Sequence, residues 1–423
     1  MPVKQPSLYI QRSSMLNIIN GVGHFLRKTG MDPFRIKADS IISNAKKRAF
    51  FNEELPGAEE GLYELVKSIN EEGKPNPFGA LAIKALLDRT LYNRYKIEQV
   101  LQQNPEIEKQ KIEEPIFIVG MPRSGTTILH ALLNEDSDHR SPLSWECLLP
   151  YPVPNPETYS DNDQLQTVKK EFERLFKLVP DFLSKHYMAV DSPQECIGLN
   201  ALDFNSFQFM AQLRLPGYLD WFNNRADKAG TMRFHKRFLQ YLQSGGVKSR
   251  RWLLKSPVHL MRLPELFEVY PDAKIIMTHR HPSQVVPSTA SLITTVRSLY
   301  SDNEIPEQTG IEQAKLWSKY LNKFLDSLDT INKKNQIIHI QFEDFVSDPV
   351  DTARNIYQQF NWPLSKEVLD DFGHFLAKNP KEKHGTHDYS LDDFGLLEKD
   401  INETYSKYIG FLNKLYSSSN YGT

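Results

Sequence analysis

Pro115-Ile116-Phe117-Ile118-Val119-Gly120-Met121-Pro122-Arg123-Ser124-Gly125-Thr126-Thr127 reads as a strand that runs out into a glycine loop. The apolar run is too short for a helix and too continuous for a half-exposed strand, so it belongs inside a sheet covered on both faces. A helical pattern starts directly behind the loop, with Ile128, Leu129, Leu132 and Leu133 on one side. Strand, loop and helix in that order place backbone N–H groups and a helix N-terminus at one point, which suits an anion.

The spacing from Gly120 to Gly125 is that of a nucleotide phosphate loop. Thr126, however, stands where a nucleoside-triphosphate enzyme carries the lysine that reaches the terminal phosphates. The cation is instead Arg123, inside the loop.

Further short apolar runs follow at Trp252-Leu253-Leu254, Ala273-Lys274-Ile275-Ile276-Met277 and Ile337-Ile338-His339-Ile340, with helical patterns between them. Alternation of this kind predicts an α/β fold, a P-loop-type parallel sheet flanked by helices, in which ligands gather beyond the carboxyl ends of the strands. Three of those ends carry cations: Arg123, Lys255 and Arg280. Residues 1–110 read as a helical N-terminal extension, with Leu16, Ile19, Val22 and Leu26, and then Leu62, Leu65, Val66 and Ile69, at helical spacing. Residues 111–423 form the α/β domain, with a helical insertion over about 151–250. The later part of that insertion is dense in aromatics, among them Phe204, Phe209, Tyr218, Trp221 and Phe238. These are either core packing or the lining of an apolar pocket.

The charges nearly cancel, 51 Lys+Arg against 53 Asp+Glu, which disfavours a nucleic-acid partner. Two cysteines, Cys147 and Cys196, are too few for a disulfide framework and lack metal-ligand spacing, so a cytoplasmic setting and no metal are expected. No apolar run reaches transmembrane length, and the first residues lack the apolar core of a signal peptide.

The segment Pro122-Arg123-Ser124-Gly125-Thr126-Thr127 resembles the 5′-phosphosulfate loop of sulfotransferases that use 3′-phosphoadenosine 5′-phosphosulfate (PAPS). With Trp145-Glu146, Leu254-Lys255-Ser256-Pro257 and Tyr389 to Leu396, the likeness is greatest to a bacterial group related to the tyrosylprotein sulfotransferases. The resemblance implies a metal-independent enzyme that moves a sulfuryl group from PAPS to a hydroxyl of a small-molecule acceptor, with lipid-like compounds among the candidates. It implies donor contacts from Pro122, Arg123, Ser124, Gly125, Thr126 and Thr127, and a 3′-phosphate clamp from Arg280 and Ser288. Arg suits the clamp because its planar fork holds two oxygens of one phosphate. Arg123 would hold the 5′-phosphate and the bridging oxygen, and Lys255 would neutralise charge on the transferred group. Glu146 is the first candidate for the general base, His259 the second and His186 the third. Phe342 resembles an aromatic that stacks on the adenine, and Lys383 or His384 a basic loop that closes over the 3′-phosphate.

Two other classes fit part of the pattern. A small-molecule kinase would share the loop, but needs a metal-holding carboxylate, for which Glu343-Asp344 is the one strand-end candidate. A non-catalytic nucleotide-binding protein would share the loop without needing Lys255.

Overall fold

The computed structural model describes residues 8–180, 188–380 and 390–417. The chain divides into two compact units. One comprises residues 1–112, 142–248 and 293–304, the other residues 113–141, 249–292 and 305–423.

The second unit holds the sheet. Its strands are β1 (Ile116–Gly120), β2 (His139–Arg140), β3 (Arg251–Lys255), β4 (Lys274–His279) and β5 (Ile337–Gln341). Their order is β2-β3-β1-β4-β5, and every neighbouring pair is parallel. The central strands β1 and β3 are buried along their whole length, as continuous apolar runs require. At the edge, β5 alternates between buried and half-buried residues, because Ile338 and Ile340 face the packed core and the residues between them face the other, less covered side of the sheet. Four of the strands are those legible as apolar runs. The fifth, β2, is two residues long and carries a histidine and an arginine, so it has no hydrophobic pattern to read.

Ile116, Ile118, Leu253, Ile276, Ile338 and Ile340 form one apolar face of the sheet. Leu129, Leu132 and Leu133 of the Thr126–Leu133 helix pack on it, as do Ile356 and Tyr357 of the Pro349–Gln359 helix and Phe372 of the Lys366–Lys378 helix. The period of two along a strand turns Phe117 to the opposite face, where its ring meets those of Tyr270 and His259. Both faces are therefore covered, and the parallel α/β architecture expected from the sequence is the one observed.

The first unit is helical. Long helices span Ala38–Ala49, Pro56–Ser68, Pro77–Gln103 and Lys228–Ser244. Leu62, Leu65, Val66 and Ile69 are all buried, as their spacing predicts. Phe204, Phe207, Phe209, Tyr218, Trp221, Phe222, Phe234, Phe238 and Tyr241 are buried as well, and many stack on one another or meet edge to face. Of the two readings open for these rings, the structure takes core packing. They supply the large apolar area that a bundle of short helices needs. The Ser14–Lys28 helix departs from expectation: of its four periodic apolar residues only Leu16 is fully buried, and Val22 is exposed.

Candidate active site

Parallel register brings three cations to one edge of the sheet. Ile118 of β1 lies beside Lys255 of β3, and Gly120 of β1 lies beside Thr278 of β4, two residues before Arg280. The strands that end in Lys255, in the Arg123 loop and in Arg280 are thus immediate neighbours.

The loop after β1 is shaped by backbone geometry. Gly125 has φ +85°, and a Cβ there would lie 2.9 Å from Phe342 Cδ2. A Cβ on Gly120 would lie 2.3 Å from Thr278 Oγ1. Both positions need glycine for conformation and for space. Ser124 is buried, and its Oγ donates to the Met121 carbonyl at 2.6 Å and accepts from Thr278 Oγ1 at 2.7 Å. Behind the loop, the first N–H groups of the Thr126–Leu133 helix have no carbonyl partner within the helix.

Arg123 has φ +68°, a left-handed conformation that a side-chain-bearing residue adopts at a cost of about 1–2 kcal/mol. Such strain persists where the surroundings enforce it, commonly at ligand-binding positions. The enforcing contact is Arg280, whose Nη1 donates to the Arg123 carbonyl at 3.0 Å. Arg123 in turn donates from Nε to Ser288 Oγ at 3.1 Å. Ser288 lies on the Pro282–Tyr300 helix, as the sequence suggested, and its contact is with the loop arginine.

Arg280 is fixed from several sides. Its Nε donates to Gln284 Oε1 at 2.9 Å, and its guanidinium lies 4.1 Å from the centre of the Phe342 ring. Phe342, expected to stack on a base, here stacks under the arginine. Burial lowers the Arg280 pKa, Glu343 opposes this, and neighbouring Arg123 adds to it. A partly desolvated guanidinium beside a second one is a place where an anion relieves repulsion. The glycine cradle and these paired cations fit a phosphorylated ligand.

Sequence reasoning missed what stands behind Arg280. His279 Nδ1 and the Tyr408 hydroxyl are 2.9 Å apart, and His279 Nε2 is 2.8 Å from His339 Nδ1. Burial pushes the Tyr408 phenol well up, and a hydrogen bond from the Arg280 backbone N–H opposes this. The phenol oxygen accepts from that N–H, and its contact with His279 extends through the His279 ring to His339. Tyr408 therefore anchors the backbone of Arg280. It lies 129 residues from His279, and no local pattern marks it.

Lys255 is buried, and its Nζ donates to Thr127 Oγ1 at 3.1 Å. Beneath it, His130 Nε2 lies 2.9 Å from Ser141 Oγ and 3.2 Å from the Leu253 carbonyl. Burial, and secondarily the charge of Lys255, bring the His130 pKa down to about 3, so its ring is neutral.

The candidate bases are placed differently. Glu146 belongs to the helical unit, fully buried in the Ser144–Leu148 helix. Its Oε2 accepts from the Leu143 N–H at 2.9 Å and from the Tyr159 hydroxyl at 3.1 Å. His259 lies in the sheet unit, in the turn Pro257–Met261 after β3, buried with its ring edge-on to Phe117 at 5.1 Å. His186, Lys383 and His384 lie outside the described residues. Among the described residues, no group of His, Cys, Asp and Glu is placed to hold a metal ion.

The sequence profile of the sulfotransferase family matches residues 115–366, from the first residue before β1 to the start of the Lys366–Lys378 helix. The chain belongs to the sulfotransferase family. It is an enzyme, a transferase of sulfuryl groups. It is 26% identical over 302 residues to the omega-hydroxy-beta-dihydromenaquinone-9 sulfotransferase Stf3 of Mycobacterium bovis, covering 70% of this chain and 75% of that one. The solved sulfotransferase STF1 of Mycobacterium tuberculosis superposes with a TM-score of 0.78 at 27% identity, over 88% of this chain and 99% of that one. STF9 of Mycobacterium avium gives a TM-score of 0.81 at 26% identity, over 89% and 96%. The likeness to these sulfotransferases thus extends well beyond the phosphate loop.

Backbone strain at Arg123 has a direct test. Arg123→Gly and Arg123→Ala both remove the guanidinium, but only Ala keeps the left-handed penalty. The Gly variant should be the more stable of the two by on the order of 1 kcal/mol in chemical denaturation. Equal stability would show that the loop is relaxed at this residue.

Burial also lowers the pKa of His139, of His279 well below the ordinary value, and of His339 to about 4. Below pH ~6.5 the unfolded chain protonates these histidines and His130 while the native protein does not. Stability is therefore complete above pH ~6.5 and falls as the pH drops toward 4, by up to about 1.4 kcal/mol per pH unit for each such group. Denaturation midpoints at pH 7.5, 6 and 5 should fall in that order; a constant midpoint would mean these rings are accessible to protons.

Proposed function

We propose that the donor is PAPS. Its 5′-phosphosulfate would sit on the Gly120–Thr127 loop, and its 3′-phosphate on Arg280 and Ser288. The observation that carries this reading is the hydrogen bond from the Arg280 guanidinium to the Arg123 carbonyl, which ties a second cation to a glycine loop whose usual lysine position is Thr126. One cation within the loop and a second on the neighbouring strand suit a nucleotide anionic at both its 5′ and 3′ ends.

The donor supplies an activated sulfuryl group, and the protein's residues align and stabilise. Arg123, Ser124, Gly125, Thr126 and Thr127 hold the 5′ end. Lys255, oriented by Thr127, neutralises negative charge on the group in transit. Tyr408 is a positioning residue that keeps Arg280 at its phosphate. Glu146 is assigned as the base that receives the acceptor's hydroxyl proton. His259 is set aside because its ring packs against Phe117 of the sheet core. For the acceptor we infer a hydroxyl on a lipid-like small molecule, on the strength of the relative named for a hydroxylated dihydromenaquinone. The two cysteines are buried, and so small a number favours a cytoplasmic setting.

Calorimetry separates the donor classes. Adenosine 3′,5′-bisphosphate should bind without metal, and Arg280→Ala should weaken it by ten- to a hundredfold while changing adenosine 5′-phosphate binding by less than threefold. Equal losses for both ligands would remove Arg280 from the 3′-phosphate, and preference for ATP with Mg²⁺ would exclude PAPS as the donor.

The base assignment has its own readout. Glu146→Gln should lower kcat by about 10²–10⁴-fold, with the affinity for adenosine 3′,5′-bisphosphate retained. His259→Asn, in contrast, should lower stability more than kcat. Near-normal turnover in the Glu146 variant would exclude it as the base.

A further inference from the structure

The Ser14–Lys28 helix is amphipathic with its apolar side turned outward. Met15, Ile18, Val22 and Phe25 are 62%, 65%, 57% and 66% exposed. At 100° per residue they fall within an arc of about 80° on one side of the helix. The side that docks on the protein is made of other residues. Leu16, Asn20 and Gly23 are buried, Asn20 Oδ1 accepts from the Phe78 N–H at 2.9 Å, and a Cβ on Gly23 would meet Pro77 at 2.3 Å. Arg27 Nη1 donates to the Pro75 carbonyl at 2.8 Å, and the Ser13 N–H donates to the Leu178 carbonyl at 3.0 Å. The helix is thus held by close backbone approach and polar contacts, and four large apolar side chains stay in water. A surface stripe of this kind on a soluble domain marks an interaction site.

Charge indicates what covers it. The first 37 residues contain six Lys and Arg and a single acidic residue, Asp32, although the whole chain is slightly acidic. Arg12 is paired with Asp302 and Arg27 with Asp32. Lys28, Arg35 and Lys37 are exposed, at the end of the helix and in the segment that follows it. Apolar side chains on one face with exposed cations beside them are the features by which a helix lies in the headgroup layer of an anionic bilayer. No helix among the described residues is long and apolar enough to cross a membrane, so such contact would be peripheral.

We propose that the Ser14–Lys28 helix docks the enzyme on an anionic phospholipid surface, with Met15, Ile18, Val22 and Phe25 inserted among the acyl chains and Lys28, Arg35 and Lys37 at the headgroups. The proposal does not depend on the acceptor inferred above. Vesicle binding needs neither donor nor acceptor, so its failure and the failure of that assignment are distinct results.

The test is co-sedimentation of the full chain with large vesicles of phosphatidylcholine, with and without 30 mol% phosphatidylglycerol (roughly the anionic content of a charged leaflet). The expected result is at least tenfold tighter binding to the anionic vesicles. Ile18→Glu with Phe25→Glu should abolish that binding and leave the thermal midpoint unchanged, because neither side chain is buried. Lys28→Glu with Arg35→Glu and Lys37→Glu should erase the preference for anionic lipid. Phe25→Trp provides a readout that tolerates loss of the charged variants: its fluorescence should be quenched by brominated acyl chains. Absence of vesicle binding by the wild-type chain would overturn the proposal, as would undiminished binding by the Ile18, Phe25 variant. A dimer in sedimentation velocity that the same variant dissociates would also overturn it, by assigning the stripe to a second copy of the chain.

Discussion

The hydrogen bond from Arg280 to the carbonyl oxygen of Arg123 joins the loop after β1 to the end of β4, and the rest of the site is arranged around it. It holds Arg123 in a left-handed conformation that the residue would not adopt alone. It also brings the Arg280 guanidinium close enough to Arg123 for the second positive charge to lower the Arg280 pKa further. Every other element of the site either supports this bond or borders it. Gly125 leaves room for Phe342, Phe342 lies under Arg280, and Ser288 accepts from Arg123.

Behind that bond lies a second layer of neutral groups. Tyr408 and His279, both buried, and half-buried His339 form a hydrogen-bonded chain that reaches the Arg280 backbone N–H through the phenol oxygen. Beneath Lys255, His130 plays a comparable part, neutral and bonded to Ser141 and the Leu253 carbonyl. Neutral partners are the physical choice here. An additional carboxylate would neutralise the cations that the donor is meant to meet, whereas a neutral ring satisfies backbone and hydroxyl groups without competing for their charge.

Legibility followed the range of the interactions. The glycine loop, the apolar strands and the cations at strand ends are local features, each visible within a few residues, and the structure placed Arg123, Lys255, Arg280 and Ser288 in the same unit. The two-residue strand His139–Arg140 and the support from Tyr408 left no local trace. The aromatics of residues 204–241 show the opposite difficulty. Their composition was evident, but composition does not distinguish a core from a pocket lining, and burial decided for the core. Periodicity on the Ser14–Lys28 helix identified a helix, yet not which face was anchored, because the anchoring uses Asn20, Gly23 and Arg27 rather than the apolar residues.

The sequence by itself determined the class of fold, the position of the glycine loop and the cations at the strand ends, since strand length, glycine spacing and side-chain charge are written residue by residue. Only the tertiary structure decided which cation holds which, that Ser288 serves Arg123, that Phe342 lies under Arg280, and that a tyrosine from the C-terminal helix anchors the strand end. Those contacts join residues more than fifty positions apart. They depend on strand order and register, which emerge from packing the whole sheet at once and not from any one segment of it.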